Sequence, residues 1–223
     1  MGKGRSLFFI FLLCMAENQM TFADQHGQPL KLQQPETRGD MSVEQAIGKR
    51  RSLRHYSGSL ALADISQLLW AAQGVTHPDD YRAVPSAGAL YPLEIYLVVG
   101  KVAGLRAGVY RYRPGEHDLI QLGTADPRRE LASATYGQSF MQTAAAVLVI
   151  TGVYERTRKK YGQRARRYVH MEVGHAAQNV YLQAEARGLG TLIMGAFDDA
   201  RVQAVLGLPE DHQPLGLMPI GPR

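Results

Sequence analysis

The chain has 223 residues, of which 45% are hydrophobic and 20% are charged. This composition suits a globular domain with a sizeable apolar core, and it excludes disordered, collagen-like and low-complexity proteins. The formal net charge of +5 is a mild excess that a phosphate-bearing ligand, an anionic surface or a nucleic acid would suit equally well. The single cysteine, Cys14, excludes an internal disulfide and a cysteine-based zinc or iron–sulfur cage.

The first 23 residues have the pattern of a secretory signal. Lysine and arginine precede a short apolar run over residues 7–15, and a small residue, Ala23, ends the segment. The run is too short for a stable membrane span, which needs about 20 apolar residues. A buried N-terminal helix or a misplaced start codon is the alternative. The pattern predicts an exported protein, periplasmic or secreted, and a cytoplasmic one if the segment is not a true signal.

The remaining chain divides into a leader and one domain. Residues 24–41 carry several glutamines and prolines without periodicity, which predicts a flexible leader. The folded domain is expected over residues 42–223, where helix and strand patterns alternate. Helices are predicted at 42–47, 63–73, after Asp126-Pro127, 168–187 and 199–206. Strands are predicted at 94–99, 109–113, 118–122, 145–150, 191–194 and 215–220. The order predicts an α+β fold with a mixed sheet packed by helices.

The helix predicted over 168–187 is apolar on nearly all sides. Such a helix must be buried, either centrally or in a subunit interface. It carries one Glu-x-x-His pattern, Glu172 and His175, whereas di-iron bundles use two such patterns and two further glutamates. We therefore predict no metal site and interpret His175 as a satisfied interior histidine.

A basic cluster stands where the first helix should end, and it comprises Arg50, Arg51, Ser52 and Arg54. In an extended chain, Arg50, Ser52 and Arg54 project to the same side, so two guanidinium groups and a hydroxyl surround one point. That arrangement suits a terminal phosphate, which offers three acceptor oxygens. A solvated basic turn is the alternative interpretation.

Two further segments are rich in small residues. The first precedes a predicted strand and contains Pro85, Ser86, Ala87, Gly88 and Ala89. Small side chains there let the backbone approach a flat ligand, although a plain loop is also compatible with them. The second, Gly195 and Ala196, follows a predicted buried strand, where exposed backbone N–H groups could donate to a ring nitrogen and a carbonyl. Motifs of Rossmann, P-loop and α/β-hydrolase sites do not occur.

Taken together, in this order and spacing, these segments resemble the nitroreductase superfamily of flavin enzymes. Within it, the chain is most similar to the SagB-type dehydrogenases, the group that contains thiazole- and oxazole-forming oxidases. The likeness runs from about Ser42 to Pro222. It also rests on the segments Gln67-Leu68-Leu69-Trp70-Ala71-Ala72-Gln73-Gly74, Leu90-Tyr91-Pro92, Lys160-Tyr161-Gly162, Gly174-His175-Ala176-Ala177-Gln178-Asn179 and Phe197-Asp198.

The resemblance implies FMN, held without a covalent bond at the interface of an intertwined homodimer. Arg50, Ser52 and Arg54 would hold its phosphate, and the long helix would be the central dimer helix. Residues 86–89 would line the ribityl chain and the ring, and the backbone of Gly195 and Ala196 would face flavin N5. Whether Arg223 contacts the phosphate stays open.

The resemblance also implies an active-site base. Some family members that oxidise azoline rings use an adjacent Lys-Tyr pair, and Lys160-Tyr161 matches it by position. Dehydrogenation needs a proton removed from one atom as hydride leaves another, so a base beside the ring is required. Neighbouring cations and burial would favour the neutral amine of Lys160. The alternative is a solvated helix face on which Tyr161 merely packs.

Three functions remain after these observations. The first is an FMN-dependent SagB-type oxidoreductase that transfers hydride between flavin and an organic or peptide-borne heterocycle. The second is a nitro or quinone reductase that uses NAD(P)H. The third, from another class, is a cofactor-free basic module that binds anionic polymers through residues 156–167. Because this run has few aromatic residues for stacking, we expect no nucleic-acid partner.

Overall fold

The computed structural model describes residues 28–223, so the predicted signal over 1–23 lies outside the described residues. Seven strands form one sheet: β1 (Leu30–Lys31), β2 (Leu93–Val99), β3 (Gly108–Arg113), β4 (Asp118–Gly123), β5 (Ala146–Gly152), β6 (Leu189–Thr191) and β7 (Gln213–Pro222). Seven α-helices within residues 28–223 accompany it: α1 (Val43–Lys49), α2 (Leu62–Gln73), α3 (Arg128–Ala134), α4 (Phe140–Thr143), α5 (Tyr154–Tyr161), α6 (Ala165–Ala186) and α7 (Asp199–Leu206).

The sheet has the strand order β1-β4-β3-β2-β5-β7-β6. The α+β class is confirmed, but the six ladders between these strands are all antiparallel, where the sequence predicts a mixed sheet. The short connections from β2 to β3 and from β3 to β4 explain part of this difference. Short connections join antiparallel neighbours, whereas a parallel pair needs a crossover of a dozen or more residues.

Strand β5 lies near the middle of the sheet, and all seven of its residues are buried. Helix α6 packs closely against β5, because Gly152 leaves room for a valine of the helix. A Cβ added at Gly152 would lie 2.8 Å from Cγ1 of Val169. The missing side chain of Gly152 thus permits the close approach of α6 to this strand.

The predicted helix ends agree with the structure where side chains define them. At the start of α1, Ser42 Oγ accepts the N–H of Gln45 at 3.2 Å, and Gln45 Oε1 accepts the N–H of Ser42 at 3.0 Å. Helix α7 begins with Asp198 accepting the N–H of Arg201 at 3.0 Å and ends at Gly207 in the left-handed region.

The flexible leader predicted over 24–41 differs from the structure in its described part. Strand β1 pairs with β4, and Leu32 is buried. The backbone of Glu36 donates to and accepts from the side-chain amide of Gln67, at 2.9 Å in each case. A two-residue strand is too short to produce a detectable period, so only its partners reveal it.

Helix α6 is buried along one side and exposed along the other in the single chain. Met171 is 52% exposed, and Gly174 and His175 are exposed beside it. The prediction that this helix is buried on nearly all sides is therefore wrong for a single copy of the chain. Among the helices formed by residues 28–223, none is long and apolar enough to cross a membrane.

Candidate functional site

Helix α6 connects every segment that the sequence singles out. Two of its buried residues, Glu172 and Tyr181, lie nine positions apart. At 3.6 residues per turn, nine positions are two and a half turns, so these side chains leave the helix in opposite directions. We call the groups that they contact the Glu172 side and the Tyr181 side.

The Tyr181 side joins the predicted phosphate segment to the strand end near Gly195. Ser52 Oγ lies 3.0 Å from Tyr181 Oη, and the guanidinium carbon of Arg50 lies 5.0 Å from the centroid of the same ring. Tyr181 Oη also accepts the backbone N–H of Ile193 at 2.8 Å, so its own proton is free for Ser52. One phenol therefore connects two segments that are about 140 residues apart in sequence.

The arginines of this cluster differ in what they contact. Within residues 28–223, Arg50 and Arg54 have no carboxylate within 4.0 Å. Arg51 instead donates to the carbonyls of Gly48 and Arg50, at 2.9 and 2.8 Å, at the end of α1. Arg223 is paired with the buried carboxylate of Glu185. Arg50, Ser52 and Arg54 are thus a donor set that fits a phosphate.

Gly195 and Ala196 are exposed and directly follow Met194, the last residue of this segment that pairs with β7. Met194 exchanges two backbone hydrogen bonds with Leu217, at 2.8 and 3.0 Å, as an isolated bridge beyond β6. Strand β6 itself ends at Thr191, earlier than the predicted strand over 191–194. A Cβ added at Gly195 would meet no heavy atom within 4 Å, so a flat ligand can reach its backbone.

On the Glu172 side, α6 holds the loop that begins at Pro85. The backbone N–H of Ala87 donates to Glu172 Oε1 at 3.0 Å, and Ser86 Oγ accepts the N–H of Tyr91 at 2.9 Å. Ala89 and Tyr91 both have positive φ, at 54° and 44°. Such strain persists only where surrounding contacts hold it, and it is concentrated at functional sites.

This loop meets the predicted catalytic pair at Gly88. Its φ is +65°, and an added Cβ would lie 2.9 Å from both Lys160 Nζ and Tyr161 Oη. Tyr161 packs edge-on against Tyr168, with 5.0 Å between the ring centroids. The structure therefore brings Lys160 and Tyr161 to the loop, although their distance in sequence is about 70 residues.

Two expectations about polar side chains differ from the structure. Lys160 is exposed in the single chain, so one copy does not supply the burial expected for it. His175 is exposed as well and is not an interior histidine. In the part of the chain that the structure describes, no group of three or more His, Cys, Asp or Glu side chains is placed to hold a metal ion.

Sequence reasoning missed the structural roles of Glu172 and Tyr181. Glu172 is 2% exposed, and its Oε2 has no hydrogen-bond partner among residues 28–223. Burial raises the pKa of its carboxyl above the ordinary value, and the N–H of Ala87 opposes that shift only in part. A signal was available: Glu172 lies three residues after Val169 and four before Ala176, on the apolar stripe of the helix.

We expect the raised pKa of Glu172 to make folding depend on pH. The folded state binds the proton more tightly than the unfolded state, so the stabilisation is complete below pH 4.5 and is lost as pH rises through the folded pKa. Glu172→Gln carries no charge at any pH and lacks this loss. The difference in Tm between this variant and the parent should therefore rise from pH 5 to pH 8, by about 2–4 °C for each kcal/mol of unfolding free energy that the parent loses.

Thermal unfolding of both proteins across this range checks the prediction, with Glu130→Gln as the control. Glu130 is exposed on α3 and has no cation within 4.0 Å among the described residues. Parallel Tm curves for the parent and Glu172→Gln would contradict it.

Comparison with known proteins agrees with this geometry. A family model described as the nitroreductase family matches residues 47–222. A protein of Methanocaldococcus jannaschii that bears the name nitroreductase is 46% identical over 196 residues, which cover 87% of this chain and 98% of the relative. A crystal structure from Anabaena variabilis, also named a nitroreductase, is 32% identical with a TM-score of 0.78 and covers 88% of this chain and 42% of that one.

A third match is the Escherichia coli microcin synthetase McbBCD complex with truncated pro-MccB17 bound. It is 26% identical with a TM-score of 0.66, and the match covers 84% of this chain and 75% of that one. Together with matches to a trifolitoxin-processing protein and a microcin B17-processing protein, it confirms the resemblance to the SagB-type group. Since the family model covers most of the sequence and the archaeal relative matches along nearly its whole length, this chain belongs to the nitroreductase family of oxidoreductases.

Proposed function

We propose that the protein is an FMN-dependent oxidoreductase of the SagB type, which transfers hydride between flavin and an organic or peptide-borne heterocycle. The observation that carries the proposal is the link through Tyr181, which holds Ser52 and the N–H of Ile193 within 3.0 Å. This link supports the proposal because Ser52 of the basic cluster and the chain just before Gly195 contact the same tyrosine of α6. The peptide bound to the microcin synthetase supports a peptide-borne substrate.

A homodimer is part of the proposal because the two sides of α6 face opposite ways. Phosphate donors lie on the Tyr181 side, whereas the Gly88 loop and Lys160 lie on the Glu172 side. One site that uses both sets needs a second copy of the chain. Large apolar side chains are available for such an interface, since Val43, Ile47 and Met171 are 62%, 57% and 52% exposed.

Each group has a chemical role in this proposal. Bound FMN would supply the two-electron redox chemistry, which is the cofactor's own. Arg50 and Arg54 would neutralise the phosphate, and the backbone of Gly195 would donate to the flat ring without steric hindrance. Lys160 would take the substrate proton at Nζ, and the second subunit would exclude the water that surrounds this amine in the single chain.

The flavin content of the purified protein tests the proposal. We expect a yellow preparation whose chromophore is released by denaturation and identified as FMN by chromatography. A colourless protein that cannot be reconstituted with FMN would contradict it and would favour the cofactor-free basic module.

A nitro or quinone reductase that uses NAD(P)H is the second candidate, and the name of the archaeal relative favours it. The two activities differ in their need for a base. We expect Lys160→Ala to reduce dehydrogenation of a thiazoline-bearing peptide by about 100-fold or more, because general-base catalysis typically contributes 10²–10⁴. Reduction of a nitroaromatic acceptor needs no such base and should fall far less.

Rates for both reactions, measured with the same preparations, check this expectation. Lys159→Ala is the matched control, because it removes a neighbouring exposed lysine of α5 that is not among the atoms nearest Gly88. Equal losses in both reactions would argue against Lys160 as the base.

A further inference from the structure

The proposed function uses Lys160 from a cluster of cations around the junction of α5 and α6 and leaves the other cations of the cluster unused. Residues 156–167 contain seven arginines and lysines: Arg156, Arg158, Lys159, Lys160, Arg164, Arg166 and Arg167. Only Arg156 has a clear structural role, since it donates to Glu94 Oε1 at 2.5 Å and to the carbonyl of Tyr91 at 3.0 Å. Arg158 lies 3.5 Å from Glu155, with both side chains mostly exposed, so this pair contributes little.

The other five cations of the run have no carboxylate within 4.0 Å among residues 28–223. Like charges this close in sequence repel one another and oppose folding. Since no carboxylate of the described residues pairs with these five side chains, an external anion would relieve the repulsion.

A groove begins at this cluster and ends beside Gly195. One cavity of about 400 Å³ is lined by Gly195 and Arg166, among others, and a neighbouring one of about 360 Å³ is lined by Arg158 and Arg166. Tyr154, Arg166 and Gln213 line both cavities, so the two lie side by side, and we call the pair the groove. Each volume is in the range of small-molecule sites.

Charge is distributed unevenly along this groove. Arg158 lines only the outer cavity, Arg166 lines both, and Asp199 lies in the inner one with Gly195. The only aromatic ring shared by both cavities is engaged within the described residues: Tyr154 Oη lies 2.5 Å from His170 Nε2, and the guanidinium carbon of Arg166 lies 5.9 Å from its centroid. The outer groove is therefore cationic and has no free ring on which a base could stack.

We propose that this groove binds an acidic segment of a peptide substrate, with carboxylates on Arg158 and Arg166 and the reacting residue beside Gly195. The inference rests on the proposed function and names the substrate class of that site. A peptide fits better than a small anion because the unpaired cations continue along the chain beyond the groove, to Arg164 and Arg167. Several carboxylates in a row would engage them in turn.

Binding of fluorescein-labelled hexaglutamate to the full chain, measured by fluorescence anisotropy, tests the inference. We expect binding that weakens with added salt and no binding of labelled hexaserine. The double variant Arg158→Gln/Arg166→Gln should raise the Kd of hexaglutamate about tenfold or more, because hydrogen bonds between charged groups are the strong ones. Arg166→Lys should retain part of the affinity, since lysine keeps the charge but loses the forked geometry.

Arg106→Gln is the matched control. It removes an exposed arginine near the start of β3, which pairs with the end of β2. Tyr154, which lines both cavities, follows a residue that is hydrogen-bonded to Pro92, just before the start of β2. The control residue and the groove therefore lie toward opposite ends of β2. Its Kd should stay within about twofold of the parent value. An equal loss of hexaglutamate affinity in the control and the double variant would show diffuse electrostatic attraction and would contradict a binding site in the groove. No binding at all would contradict it as well.

Two competitors complete the test. Displacement of hexaglutamate by equimolar NADPH would assign the groove to nucleotide phosphates, and displacement by short duplex DNA at the same concentration would assign it to nucleic acid. Either result would overturn the peptide assignment. Because anisotropy does not depend on flavin, a failure here is distinguishable from a protein that binds no FMN.

Discussion

Replacing Arg50 and Arg54 together by alanine is expected to weaken FMN binding by about 100-fold or more while leaving riboflavin binding nearly unchanged. Neither side chain has a carboxylate within 4.0 Å among residues 28–223, so both guanidinium groups are available to a phosphate. A hydrogen bond between charged groups contributes about 1.5–3 kcal/mol, and each 1.4 kcal/mol changes an affinity tenfold. Riboflavin lacks the phosphate, so its affinity should not depend on these two arginines.

Titration of apoprotein with each flavin, followed by quenching of flavin fluorescence, measures both affinities. Arg51→Ala is an informative neighbour, because this guanidinium donates to the carbonyls of Gly48 and Arg50. Its FMN affinity should change by less than about threefold. If the double variant loses FMN and riboflavin equally, the arginines do not bind the phosphate and the assignment of this donor set is wrong.

Mixed dimers are expected to recover flavin binding that neither parent variant shows. One variant, Arg50→Ala/Arg54→Ala, removes donors on the Tyr181 side. The other, Gly88→Val, forces a branched side chain into a position with φ of +65° and with Lys160 Nζ and Tyr161 Oη 2.9 Å from the added Cβ. If a site takes one side from each subunit, a mixed dimer has one intact site and one doubly altered site.

Heterodimers isolated through two different affinity tags should therefore bind about half as much FMN per chain as the parent dimer, and each variant alone very little. A control heterodimer that carries the arginine substitutions in both chains should show no recovery. Absence of recovery in the mixed dimer, with both chains folded by circular dichroism, would mean that each site lies within one subunit. The homodimeric part of the proposal would then be wrong.

Local patterns predicted the elements whose ends are defined by their own side chains. The helix starts predicted at Ser42 and Asp199 lie within one residue of the observed starts of α1 and α7, and the end predicted at Leu206 is the observed end of α7. Pairing between strands that are distant in sequence could not be predicted from local patterns. Strand β1 has two residues, and the antiparallel ladders follow from chain connections that no single segment records.

The candidate site shows the same division. The residue types were readable, because arginines, small residues and a Lys-Tyr pair suit a phosphate, a flat ring and a proton transfer. Which of these residues lie together could not be read from the sequence. Their arrangement depends on the half-turn between Glu172 and Tyr181 and on the side of α6 that each loop contacts. The exposure of His175 and the burial of Glu172 also depend on how the helix is rotated against the sheet.

The α+β class and the starts of α1 and α7 could be predicted from the sequence, because they depend on side chains within a few residues. The structure was needed to show that Ser52 and the loop at Ala87 contact α6 on opposite sides. A helix turns by about 100° at each residue, so packing, and not proximity in sequence, sets the direction of each contact.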